Sequence, residues 1–114
     1  ARLKAIEKDL KVLGAKEVKL VVADLAEPGG FEAIIQAAQH ARVGLLIVSA
    51  GFGTSGKFID NSLHAEINML RVNCEALLML THYYSQHFVQ QKRGGIILMS
   101  SMVSFQGTPY AANY

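Results

Sequence analysis

Two hydroxyl side chains carry the most distinctive chemistry in this chain: Ser101 and Tyr114, thirteen positions apart. A tyrosine phenol exchanges a proton near neutral pH only if its pKa falls from about 10. A serine hydroxyl beside it can donate a hydrogen bond to an oxygen that changes charge. Tyr83, Tyr84 and Tyr110 are the chain's other tyrosines. The plainer reading makes Ser101 the end of a strand and Tyr114 a residue of a tail.

Three further sites invite a chemical reading. Gly51, Gly53 and Gly56 spell G-x-G-x-x-G directly after an apolar run. A phosphate cradle needs a helix to open at the third glycine, so that backbone N–H groups face the anion. Lys57, Phe58, Ile59 and Asp60 intervene here, which favours a flexible loop at a strand end. Asn73 lies amid "RVNCEALLML", where a buried amide is costly without a partner. Asp24 either meets a ligand or caps the following turn. His40, His64, His82 and His87 have no metal-ligand spacing and read as surface residues, so no metal is expected. Cys74 reads as a small buried residue.

The elements that position these residues follow from periodicity. "RLKAIEKDLKVLG" spaces Leu3, Ile6, Leu10 and Leu13 helically, with Gly14 as a stop. Its lysines interleave with Glu7, Asp9 and Glu17, which makes a solvated face rather than a nucleic-acid footprint. "EVKLVVA" predicts a strand, "FEAIIQAAQHA" a helix with Pro28 near its start, and "VGLLIVS" a second strand. A long helix is predicted from about Ser62 to about Gln91, capped by Asp60 or Asn61. "GGIILMSS" is a third strand, and Tyr110 to Tyr114 begins another helix. Strands alternating with helices imply an α/β fold with a parallel sheet. The strands are near-continuous apolar runs, as expected with both sheet faces covered. Ligands of such sheets sit beyond the C-terminal strand ends, here Asp24, Ser49–Gly53 and Ser100–Ser104.

Composition bounds the class. A chain of 114 residues, 51% hydrophobic and 18% charged, suits one globular domain. The net charge of +2 marks no nucleic-acid partner. One cysteine precludes an intrachain disulfide and suits a reducing, cytoplasmic compartment. No apolar run reaches the ~18 residues of a membrane span. The chain opens on Ala1 rather than Met, as after processing or excision from a longer chain.

Four pieces in order resemble the short-chain dehydrogenase/reductase superfamily: Asp24-Leu25, "VSAG" at 48–51, Asn73, and Ser101 with Tyr114. "GFGTSGKFID" and "GTPYAANY" are most similar to its ketoacyl and hydroxysteroid reductase branch. The resemblance implies part of a doubly wound Rossmann fold and a hydride transfer between NAD(P)(H), NADP ahead of NAD, and a carbonyl or secondary alcohol. It implies Tyr114 as general acid/base, helped by a lysine four residues on, and Ser101 orienting the substrate oxygen. Asn73 would help to hold a proton-relaying water. It implies cofactor contacts at Asp24, Leu25, Ser49, Ala50 and Gly51. Val48 and Ser49 depart from the family's paired asparagines, and Val48 cannot replace an amide. Met102 and Phe105, with Phe52 and Phe58, are candidates for an apolar substrate wall.

Leu77, Leu78, Met79, Leu80, Tyr83, Tyr84, Phe88 and Val89 exceed what one helix face needs. A homo-oligomer through helix 62–91 is therefore expected. By resemblance, residues 1–114 form a single incomplete domain, starting after two strands and the pyrophosphate loop and ending before the lysine and the lid. The strands would be third, fourth and fifth in the order 3-2-1-4-5-6, which leaves "EVKLVVA" unpaired. The segment alone is then expected to be inactive. Two other functions stand beside the oxidoreductase: a non-catalytic scaffold, suggested by Val48-Ser49, and a phosphate- or flavin-binding α/β module on the glycine loop. Turnover after Tyr114→Phe separates the first, and flavin or phosphate binding without nicotinamide binding the second.

Overall fold

A computed structural model describes residues 2–114. Helix α1 spans Arg2–Val12, α2 Gly30–Ala38, α3 Leu63–Leu70 and α4 Leu77–Gln90. Strands β1, Leu45–Val48, and β2, Gly95–Leu98, form a parallel pair with Leu45 opposite Gly95 and Val48 opposite Leu98. Bonds from Gly95 N–H to Gly44 O and from Met99 N–H to Val48 O continue the ladder at both ends. Between α3 and α4, residues Arg71–Ala76 make a π-helical turn, so one helical path runs from Leu63 to Gln90.

That path forms because apolar residues recur along one of its faces and bury there. Met69, Ala76, Leu80, Tyr84 and Phe88 lie inward. Leu80, Tyr84 and Phe88 meet Val48 of β1 in the core, with Phe31, Ile34 and Ile35 of α2 packed against it. Val48, the departure from the family's asparagine, is thus a core residue at the strand end. The N-cap of α3 is Ser62, not Asp60 or Asn61, and Asp60 closes a 3₁₀ turn at Phe58–Asp60.

Three expectations are corrected. Glu17–Ala23 forms no strand and joins no ladder. A strand needs a neighbour for its N–H and C=O groups, and no described segment supplies one. Lys19 Nζ instead donates to Ala37 O at 2.7 Å, tying this run to α2. Tyr110–Tyr114 forms no helix: a turn at Pro109–Tyr110 is followed by irregular chain. Cys74 is exposed rather than buried, because the helix turns it away from the inward seam. The helix α1 buries no residue, and its Lys11–Glu7 ion pair at 2.6 Å bears out a solvated face. No helix among the described residues is long and apolar enough to cross a membrane.

Candidate active site

Parallel pairing of β1 and β2 brings their C-terminal ends side by side. Beyond them opens a cleft of about 480 Å³, within the range typical of ligand pockets. Ser49, Ala50 and Gly51 line it after β1, and Ser100 and Ser101 after β2. Asn73 enters from the π turn and Tyr114 from the C-terminal segment. Residues scattered over 66 positions of chain thus share one cavity.

The side chain of Asn73 grips the backbone of Phe52. Its Oδ1 accepts from Phe52 N–H at 3.1 Å and its Nδ2 donates to Phe52 O at 2.8 Å. One N–H and one lone pair of the amide remain for a cleft ligand. The π turn adds a residue to the helical path at this point, as at many functional sites.

Ser101 caps the 3₁₀ turn Met102–Ser104: its Oγ accepts a long bond from Val103 N–H at 3.4 Å. The hydroxyl proton is left to donate elsewhere. Ser104 Oγ donates to Ser101 O at 2.6 Å and holds the turn. Tyr114 is 47% exposed, and its ring lies against Gly53. A Cβ at Gly53 would meet the ring at 3.3 Å, so glycine permits the close approach.

The glycine loop takes another shape than a phosphate cradle. After Gly56 the chain forms the 3₁₀ turn, and α3 starts only at Leu63. Gly56 holds φ 140° and donates its N–H to Tyr110 O at 2.9 Å. The condition for pyrophosphate binding at a helix opening there is not met.

Asp24 makes an Asx turn: its Oδ1 accepts from Ala26 N–H at 2.9 Å. Asp24 and Leu25 lie outside the cleft, just after the run Glu17–Ala23. Met102 and Phe105 also lie outside it, 89% and 92% exposed, although they flank lining residues. All four histidines are exposed.

One buried group escaped the sequence reading. Glu66 is 5% exposed, and hydrogen bonds from Thr54, with Asn113 and Asn61, hold its carboxyl below the ordinary value despite burial. The available signal was its place on the inward seam, three and seven positions before Met69 and Asn73.

Comparisons with known proteins bear on the family and the fold. Residues 1–114 match the family described as short chain dehydrogenase. The chain is 27% identical over 113 residues to a 7beta-hydroxysteroid dehydrogenase of Collinsella aerofaciens, covering 99% of this chain and 43% of that one. A solved 7beta-hydroxysteroid dehydrogenase superposes with a TM-score of 0.92 at 28% identity, over 98% of this chain and 44% of that one. The short-chain dehydrogenase from Sphingobium yanoikuyae in complex with NADPH gives 0.88 at 30% identity, over 99% and 45%. The chain therefore spans less than half the length of these relatives. With a family match along its whole length, it belongs to the short-chain dehydrogenase family.

Proposed function

We propose that this chain carries the central part of an NAD(P)-dependent oxidoreductase that interconverts a carbonyl and a secondary alcohol. The observation that carries the reading is the cleft itself. Ser101 and Tyr114, distant in sequence, line it together with Asn73 and the small residues Ala50 and Gly51.

Each residue has a stated part. The Tyr114 phenol gives a proton to the carbonyl oxygen in reduction and takes it back in oxidation. Ser101, with its hydroxyl proton uncommitted, donates to the same oxygen and fixes its orientation. Asn73 keeps the Phe52 backbone in place and offers its remaining N–H to a water or substrate. Ala50 and Gly51 leave room for a flat ring to approach the backbone, so the strand ends fit the nicotinamide end of a coenzyme. Such a coenzyme, when bound, supplies the hydride. Asp24-Leu25 is the proposed adenine contact, and Ser49 the polar contact between the two ends. The NADPH-bound relative supports NADP over NAD.

The substrate is a small alcohol or ketone with an apolar body. The steroid-acting relatives support this. The reading includes a cytoplasmic setting and a homo-oligomer formed on the long helix. It also treats residues 1–114 as one incomplete domain, inactive alone, in keeping with a chain that spans less than half the length of its relatives.

Tyr114→Phe in the full-length protein tests the assignment. Coenzyme-linked turnover should fall by roughly 10²–10⁴-fold, the usual worth of a positioned acid–base group, with coenzyme binding kept. Undiminished turnover removes Tyr114 from the chemistry.

A further inference from the structure

A carboxylate sits at the buried start of the long helix with no cation among its recorded partners. Oε1 of Glu66 accepts from Asn61 Nδ2 at 2.8 Å, and Oε2 from Asn113 Nδ2 at 2.7 Å. Asn113 Nδ2 also reaches the main-chain oxygen of Glu66 at 3.3 Å. The Thr54 hydroxyl donates to Met69 Sδ at 3.7 Å, one helical turn on from Glu66, and helps to lower the Glu66 carboxyl. A buried charge of this kind is tolerated only when its lone pairs are met by donors, and such charge-assisted bonds are short and strong.

The donors come from three separate segments. Thr54 belongs to the glycine loop, Asn61 to the turn before α3, and Asn113 directly precedes Tyr114. The glycine loop meets the last segment twice more, through Gly56 N–H on Tyr110 O and Gly53 on the Tyr114 ring. Consecutive Cα atoms are about 3.8 Å apart, so holding the Asn113 side chain restricts where the Tyr114 backbone can lie. Among the described residues the Tyr114 hydroxyl has no hydrogen-bond partner, so its placement depends on its neighbours. Proton transfer is steep in position, and a 1 Å error can cost about 10²-fold in rate.

We infer that Glu66 is a positioning residue for Tyr114: through Asn113 it sets the phenol's place in the cleft, and through Asn61 it ties down the turn that leads into the long helix. The inference rests on the acid–base reading of Tyr114 given above.

The test is a donor–acceptor swap in the full-length protein. Asn113→Asp sets two carboxylates against each other, and kcat should fall about 10–100-fold while coenzyme affinity is kept. Adding Glu66→Gln restores one donor and one acceptor in reversed order, and kcat should return to within about threefold of wild type. A second readout is the ring signal of Tyr114 in an NMR spectrum of tyrosine-labelled protein. It should move in Asn113→Asp and return in the double variant. Full kcat in Asn113→Asp, or a folded double variant no better than the single one, overturns the inference. Should either variant fail to fold, Asn113→Ala reads the same contact, and an unchanged kcat with an unmoved ring signal overturns it. If the wild-type protein shows no coenzyme-linked turnover, the oxidoreductase reading fails, and the ring signal still decides the positioning.

Discussion

Gly53 shows how closely the side chains of the cleft are fitted. A methyl group there would stand 3.3 Å from the Tyr114 ring, a distance that makes the ring give by a few tenths of an ångström. Gly53→Ala should therefore lower kcat by up to about tenfold and leave the melting temperature near wild type. A steady-state assay beside a thermal melt checks this; a lost melting transition with normal kcat per folded molecule would contradict it. At this scale much was legible. Ser101, Asn73 and Ser49–Gly51 line one cleft because each sits at a strand end or on the inward helix seam, and Tyr114 reaches it from the C-terminal segment. The grip of Asn73 on Phe52 was legible only as a need for some partner. Glu66 and Asn113 were not legible as a pair, since they are 47 positions apart and neither belongs to a motif.

The long helix is the element that organises the site. Its seam carries the core at the α4 end, Asn73 in the middle and Glu66 at the start. Because the Glu66 carboxyl is held below its ordinary value of 4.5, the network stabilises the fold above that pH. The stabilisation is lost as pH falls through the lowered folded-state value. Melting curves should show the wild type losing stability on acidification below 4.5 more steeply than Glu66→Gln. Parallel curves for the two proteins would contradict the assignment. Helix, strand and loop order along the chain followed from periodicity, whereas the π turn has no composition that marks it. The run Glu17–Ala23 has strand composition, but a ladder requires a partner, and composition does not provide one.

For the whole molecule, the radius of gyration is 16.4 Å, against about 13 Å for a compact domain near this length. Apolar surface accordingly remains open, including a stripe of Leu63, Ile67, Leu70 and Leu78 along the outer face of the long helix. Leu78 is 67% exposed. Burying each such leucine between copies would contribute about 1.5–3 kcal/mol. Leu70→Glu with Leu78→Glu in the full-length protein should convert an oligomer to a monomer, measured by light scattering. An unchanged mass would place any self-association elsewhere.

Taken alone, the sequence determined the α/β class, the order of most elements, the family and the set of residues with chemical potential. Local periodicity and short spacings encode these directly. The tertiary structure decided which of those residues share a cavity. It brought Ser101 and Tyr114 to one cleft, left Met102 and Phe105 on its outside, and turned Cys74 to solvent. It also joined Glu66 to Asn113. Such pairings depend on how the crossover helix lies against the two strands, a relation between distant segments that no local pattern carries.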